Sequence, residues 1–384
     1  MNTHRVLIDS TVMALAAVNP QARTGVYCYL RNLCDALAKR SDVQLSLVAG
    51  PEHEPTLRRW LSGSPLQARI NYKLEASDGG SIHFLAPFFP VNRSVLTVPH
   101  LLAYQVVHDL AHHALPALGG HALALEQGIG QACESLAVHA LCVSARTRQD
   151  LVRFFPVPME RTHVLYPGVR GDLEQSGPAQ EERIAWARHS LNLPEGSVYV
   201  MCLSTLEPRK NLRTALAAFH HAVTLCPDVP LLLLLVGDSG WGDQEKLLEV
   251  LPPVIRQRVH QLGYVEDVML GPLLSGALCL LYPSLYEGFG LPVLEAMHCG
   301  TPVVASNAGS LPEVVGDVAP MFDVWDADGM GQQIALWARS SEARDLVSQR
   351  AMAQAKKFNW EWSAAKLVEI LNQRQQDHDQ MHKY

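Results

Sequence analysis

The feature that most restricts how this chain can fold is a regular alternation. Short, continuously apolar runs are followed by segments whose apolar residues fall at helical spacing. Runs of four to eight apolar residues suit strands buried on both faces of a parallel sheet, and the helical stretches between them supply the crossovers. In the first half such strands are expected at 5–8, 44–48, 81–85, 104–108, 140–143 and 163–165, and in the second at 199–203, 231–236, 259–262, 279–282 and 302–305. After Gly25, residues Val26, Leu30, Leu33 and Leu37 share one helix face. After Asn211, residues Leu212, Ala215, Leu216, Phe219 and Val223 do the same. The pattern predicts an α/β architecture of stacked β-α units.

At 384 residues the chain has room for two such domains. The polar stretch GDLEQSGPAQ at 171–180 marks a linker between a first domain, 1–170, and a second, 181–384, which includes a terminal helix. That helix is expected to turn Trp362, Ala365, Leu367 and Leu371 inward and to fray at its polar end. With 48% hydrophobic residues, disorder is excluded, and 31 basic against 38 acidic residues give no global attraction to nucleic acid. The longest clean apolar run, Leu231 to Val236, falls far short of the ~20 residues of a membrane span. Val6-Leu7-Ile8 runs straight into Asp9, too short for a secretory leader, so the chain is expected in the cytoplasm. The eight cysteines form no C-x-x-C pair and read as buried thiols.

Two segments carry chemistry. In PSLYEGFGLPVLEAMHCG, glycines flank Phe289, Pro292 sits where a first helical position should be, and Gly300 sits where a helix of about eight residues should end. The amides from Gly290 to Val293, with the helix dipole, make an anion site. Glu287 in the loop and Glu295 one turn into the helix offer two acceptors for sugar hydroxyls. The competing reading is an ordinary strand-to-helix turn with Glu295 facing solvent. A third glycine is missing, which disfavours a nicotinamide cofactor. The second segment, LSTLEPRKNL, follows the first strand of the second domain and projects Arg209 and Lys210 into the crevice at the strand ends, a pair suited to a diphosphate.

EGFGLPVLE, LEPRKNL and HCGTPVVASNAGSLPEVVG together resemble family 4 glycosyltransferases, retaining enzymes of the GT-B fold, in which two Rossmann-like domains face each other across a cleft. Looser matches are Thr24-Gly25, Val107-His108-Asp109-Leu110, Ser144, the run 237–242 and Leu262-Gly263-Tyr264-Val265. The resemblance implies that Arg209 and Lys210 bind the donor diphosphate and that Gly25 offers an amide to it from across the cleft. It further implies that Glu295 holds the ribose and that the backbone at Tyr264 and Val265 frames the base. Glu287 and the amides of Phe289, Gly290 and Leu291 would contact the donor sugar, with His108 beside the anomeric centre. Glu287 is expected to position the sugar, with no covalent role. The phrasing is most like bacterial surface-polysaccharide and lipopolysaccharide enzymes. A nucleoside-diphosphate sugar is therefore expected as donor, GDP-mannose first and a UDP-sugar second, with a glycan or lipid-linked glycan as acceptor and no metal or other cofactor. A nucleotide-sugar epimerase and a non-catalytic sugar-nucleotide-binding protein are the alternatives.

Departures from the family are Ser204 in place of a glycine, Tyr166-Pro167-Gly168-Val169 in place of Asn-Gly-Val, and a single glycine at Thr24-Gly25-Val26. His108, His112 and His113 lack a third ligand for zinc, and His112 and His113 read as loop or surface residues. Asp326-Ala327-Asp328 reads as a helix cap instead of a metal-binding pair. Arg146, Arg148 and Arg153, or Arg58-Arg59-Trp60, could rest on an anionic membrane at its inner face, against the simpler reading of solvated helix faces. Acceptor contacts are expected from loops 86–98 and 112–131.

Overall fold

A computed structural model describes residues 3–19, 24–71, 81–118, 122–173, 178–238, 240, 244–249 and 251–381. The chain forms two compact units, one of residues 1–168 with 358–384 and the other of residues 169–357.

The first unit carries strands β1 (His4–Asp9), β2 (Val43–Val48), β3 (Ile70–Asn71), β4 (Ile82–Ala86), β5 (Leu101–Val107), β6 (Val138–Cys142) and β7 (Thr162–Val164). They form one sheet in the order β3-β2-β1-β4-β5-β6-β7, every neighbouring pair parallel. The second unit carries β8 (Val198–Leu203), β9 (Leu231–Val236), β10 (Val259–Gly263), β11 (Cys279–Tyr282), β12 (Val303–Ser306) and β13 (Met321–Phe322). Their order is β10-β9-β8-β11-β12-β13, again all parallel. Both are doubly wound sheets, and the strand order reverses between β1 and β4 and between β8 and β11. A crevice opens beyond the carboxyl ends of the strands at such a point.

The expected strands are present, and two-residue β3 and β13 add edges too short for periodicity to reveal. The helix Leu212–Leu225 buries Leu212, Ala215, Leu216, Phe219 and Val223 against β8, β9 and β11, as their spacing requires. The helix Gly25–Ala38 buries Leu30, Leu33 and Leu37, while Val26 is only half-buried. None of the eight cysteines is in a disulfide, and seven are buried. Among the described residues no helix is long and apolar enough to cross a membrane.

The terminal helix departs from the sequence expectation in three ways. It runs from Trp360 to Met381 without fraying at 372–381, and it packs in the first unit, not the second. Its inward face is Ala364, Leu367, Val368, Ile370 and Leu371, whereas Trp362 and Ala365 are exposed. A row of polar side chains across the first sheet explains the docking. His4 on β1 pairs with His83 on β4 at 3.2 Å, and His83 pairs with the Tyr104 hydroxyl on β5 at 3.2 Å. Further along, His139 on β6 pairs with His163 on β7 at 3.0 Å. The helix closes over this row. Asn372 reaches His4 at 2.9 Å, the Arg374 guanidinium lies 4.7 Å from the Tyr104 ring centre, and Arg374 donates to the Ala103 and Ala137 carbonyls. At its start Ser363 donates to Tyr166 O, and Trp360 packs edge-on against Tyr29. An apolar stripe marks a helix as amphipathic without naming its partner; here these polar contacts select it. The domain division falls at Gly168/Val169, and residues 174–177 of the expected linker lie outside the described residues.

Candidate functional site

β8 and β11, the pair at the reversal of the second sheet, each end in a loop that carries candidate site residues. Beyond β8 the chain makes a single turn of tight helix, Pro208–Lys210, and enters the helix Leu212–Leu225 through Asn211. Asn211 takes the left-handed conformation, φ +55°, one that asparagine tolerates better than most side chains. It caps the helix, and its amide donates to Pro283 O at 3.1 Å and Val324 O at 2.7 Å, bolting this loop to those beyond β11 and β13. Leu285 N donates to Arg209 O at 2.7 Å, a second bolt.

The charged centre follows from that juxtaposition. Arg209 Nη1 donates to Glu287 Oε2 at 3.1 Å, and Lys210 Nζ donates to Glu287 Oε1 at 2.6 Å. Arg209 Nε meets Glu207 Oε1 at 2.8 Å, and Nη1 also reaches Tyr286 O at 3.3 Å. Lys210 Nζ donates in addition to the Tyr282 hydroxyl at 3.0 Å. Burial alone would raise the Glu287 carboxyl, but the charges of Lys210 and Arg209 outweigh it and hold the group down at about 2. The carboxylate is therefore ionised at any working pH. Lys210 is pulled below its ordinary value, by burial first and by Arg209 second.

Glu287 is aimed by residues outside its own loop. Ser310 donates to Glu287 O through both its amide, at 3.0 Å, and its hydroxyl, at 3.1 Å. Gly309, at φ +57°, backs onto the same peptide so closely that a Cβ there would stand 2.4 Å from Glu287 O and 2.5 Å from its N.

The helix Leu291–His298 begins after Gly290, whose φ of +103° needs glycine. Its start corrects two sequence expectations. Leu291 occupies the first helical position, so Pro292 is second. Val293 N and Leu294 N both fold back onto Gly290 O, at 3.0 and 3.1 Å, and Pro292 has no N–H, so the anion-facing amides narrow from Gly290–Val293 to Gly290 and Leu291. Phe289 is buried beneath this turn. Glu295 is buried as well, not solvent-facing. Its burial, reinforced by Asp172 and Asp267 against the pull of Arg170, raises the carboxyl to about 7. Arg170 itself bridges Asp172 at 2.6 Å and Asp267 at 2.9 Å. Tyr264 and Val265 follow β10, Tyr264 exposed and Val265 half-buried. Of the run 237–242, residues 239, 241 and 242 lie outside the described residues.

The remaining candidates belong to the first unit. Gly25 is exposed at the first position of its helix. His108 lies one residue beyond β5, its Nε2 2.7 Å from Pro87 O and its ring edge-on to Tyr29. Burial lowers its pKa, so the imidazole is neutral. His112 and His113 are neither loop nor surface residues. They sit on the short helix Ala111–Ala114, where the buried Glu126 accepts from both amides and pairs with Nδ1 of both rings at 2.8 Å. Asp326 caps the helix Ala327–Arg339 by accepting from Gly329 N at 2.8 Å, as its position suggested. Among the described residues no three His, Cys, Asp or Glu are gathered as metal ligands would be.

Arg209, Lys210, Glu287 and the Gly290–Leu291 turn are thus assembled at one end of one sheet. Two half-buried cations beside a helix start suit a phosphorylated ligand, and the two buried carboxyl groups offer hydroxyl acceptors. Sequence reasoning missed Tyr282, Asn211, Gly309 and Ser310 as shapers of this centre.

Comparison with known proteins points the same way. Residues 185–354 match the family model described as "Glycosyl transferases group 1". An O-antigen chain mannosyltransferase B of Escherichia coli is 34% identical over 275 residues, which cover 69% of this chain and 69% of that protein. A serotype-specific mannosyltransferase WbdA of Escherichia coli is 32% identical over 195 residues, 49% of this chain and 23% of that longer protein. The chain therefore spans about two thirds of the first relative and less than a quarter of the second. The crystal structure of Anabaena HepE with UDP and glucose superposes with a TM-score of 0.69 at 18% identity, covering 97% of this chain and 100% of that one. WaaG, a glycosyltransferase of lipopolysaccharide biosynthesis, gives 0.67 at 15% identity over 95% and 99%.

Proposed function

Because the chain belongs to the group 1 glycosyl transferases, we propose that it moves a mannosyl residue, with retention, from GDP-mannose to a glycan or lipid-linked glycan in the assembly of a bacterial surface polysaccharide. UDP-sugars are the second donor class. The observation that carries the reading is the half-buried pair Arg209 and Lys210 gathered on the buried Glu287 at the strand reversal of the second sheet. The choice of mannose rests on the mannosyltransferase relatives.

In this mechanism Arg209 and Lys210 take up the negative charge that builds on the departing diphosphate, the electrostatic work that dominates most transfer reactions. The amides of Gly290 and Leu291 lie alongside, with Phe289 packed beneath. Glu295 accepts from the ribose hydroxyls, and the backbone at Tyr264 and Val265 frames the base. Glu287 orients donor-sugar hydroxyls. Both its oxygens are occupied by cations and its charge is strongly stabilised, which makes it a poor nucleophile and argues against a covalent intermediate. Gly25 and His108 keep their proposed roles, at the diphosphate and beside the anomeric carbon, on the strength of the family resemblance. No metal is required in this scheme. Peripheral contact with an anionic membrane through Arg58 and Arg59 or Arg146, Arg148 and Arg153 remains part of the proposal.

The test is thermal stabilisation by GDP-, UDP-, ADP- and dTDP-sugars, where a ligand at 100 times its Kd adds about 2.7 kcal/mol. A shift with the GDP series, followed by acceptor-dependent release of GDP and an α-configured product by NMR, is the expected result. A shift confined to UDP overturns GDP-mannose. Donor conversion without acceptor overturns transfer in favour of epimerisation, and nucleotide binding without turnover overturns catalysis altogether.

A further inference from the structure

Tyr282 closes β11 with its side chain buried and its hydroxyl 3.0 Å from Lys210 Nζ, which donates to it. The same ammonium lies 5.2 Å from the ring centre and donates to Glu287 Oε1 at 2.6 Å. An ammonium has three N–H donors and no acceptor, so two of the three are aimed by protein oxygens, and the geometry of nitrogen then fixes the third. Lysine otherwise swings on a flexible four-carbon stem. Filling the space at 282 needs only an aromatic ring; a phenylalanine would occupy the same volume and keep its face toward Lys210. The hydroxyl is thus the part of the side chain that packing leaves unexplained.

We infer that Tyr282 is a positioning residue for Lys210, its hydroxyl oxygen accepting from Nζ so that the remaining N–H points to the diphosphate of the donor. This rests on the proposed role of Lys210 in binding that diphosphate. Burial first, and the charge of Glu287 second, push the phenol well above its ordinary range, so the oxygen stays protonated and neutral, while the lysine is lowered by burial against the opposing pull of Glu287 and Glu207.

The experiment compares Tyr282→Phe with Tyr199→Phe. Tyr199 is a buried tyrosine of the same sheet whose hydroxyl donates to Leu273 O at 2.8 Å, away from Lys210. Lysine Nζ is followed by 15N NMR as pH rises, with the Lys210 resonance assigned through Lys210→Arg, and kcat and KM are measured for each variant. In Tyr282→Phe the Lys210 titration should move to lower pH, the alkaline limb of the rate profile should move with it, and kcat/KM should fall about tenfold, the size of one lost bond to a charged group. Tyr199→Phe should change neither profile. An unmoved Lys210 titration in Tyr282→Phe overturns the inference, as does a shifted titration with unchanged kcat/KM, or identical behaviour of the two variants. A wild-type protein that transfers no sugar overturns the proposed function instead, and the NMR titration still decides whether Tyr282 holds Lys210.

Discussion

Lys210 Nζ and Glu287 Oε1 stand 2.6 Å apart, and the other oxygen of the same carboxylate holds Arg209 at 3.1 Å. One buried anion thus occupies both cations of the centre, in the manner of the phosphate oxygens they are proposed to bind. Replacing Lys210 by alanine should lower kcat/KM for the donor by roughly 150-fold, of the ~3 kcal/mol order found when one charge-stabilising donor is removed. Steady-state kinetics on the folded variant measures it. Near-native turnover would remove Lys210 from the phosphate role.

Glu287→Gln separates the two things this carboxylate does. Without its charge Arg209 and Lys210 repel each other in a half-buried setting, with the ~3–5 kcal/mol lost on breaking a fully buried pair as the upper bound. The melting temperature should therefore fall. The more positive site should also bind GDP more tightly than wild type while transferring sugar poorly. Calorimetry with GDP distinguishes this from simple collapse, since weaker GDP binding would contradict the competition.

Gly309→Ala tests the support behind Glu287. At φ +57° an L side chain is strained, and its Cβ would press on the Glu287 peptide at 2.4–2.5 Å, with backbone atoms as neighbours that cannot swing aside. We expect lost turnover together with a lower melting temperature. Gly196→Ala is a control, because that glycine also has positive φ, +71°, but open space around it. It should cost only stability.

Glu295 makes stability depend on pH in an unusual direction. Its folded pKa, about 7, lies above the ordinary 4.5, so the folded state holds the extra proton. Stability is fully present below about 4.5 and falls as pH rises to 7, by ~3 kcal/mol on the linkage relation. Glu295→Gln should abolish that slope in urea titrations. The ribose hydroxyl proposed to bind here would donate to the ionised form, so nucleotide binding in the wild type should tighten through the same window and release a proton. Calorimetry in buffers of different ionisation enthalpy counts that proton.

The imidazole row under the terminal helix works in the opposite sense. Burial, joined by the neighbouring cations Arg374, Arg161, Arg148 and Lys366, lowers His83 and His139 to about 3 and His163 to about 4. These bases are neutral when folded, so stability is full above about 6.5 and drains away as pH falls toward 4. Hydrogen exchange across 360–381 should accelerate first, because Arg374 and Asn372 anchor that helix on the row. Uniform exchange across both units would contradict a local release.

The sequence carried most of the second sheet and its charged loops because both are written locally. Apolar runs end directly in LEPRKN and YEGFG, and a strand followed by a helix leaves little freedom in where the intervening loop lies. Long-range partners were not legible. Nothing at Gly309 or Ser310 announces a contact with Glu287 twenty-odd positions earlier, and the spacing of Tyr282 says only that it faces inward. Likewise His4 and His83 meet across 79 positions, through a strand order that alternation alone does not specify. Part of the inward face of the last helix was misjudged for the same reason: Leu367 and Leu371 turn inward as expected, but Trp362 and Ala365 do not, because the partner surface is lined by histidines and a tyrosine that favour Asn372 and Arg374.

That last helix gives the chain an uneven architecture for anyone who wishes to cut it. Residues 169–357 are continuous and can be excised as one piece, whereas the other unit is split, its final 27 residues arriving only after the second unit has been made. Topologically the second unit is an insertion, entered at residue 169 and left at 357. During synthesis the first sheet must wait for residues 358–384 before its histidine row is covered, and a chain stopped after residue 357 would carry a complete second unit attached to an unfinished first one.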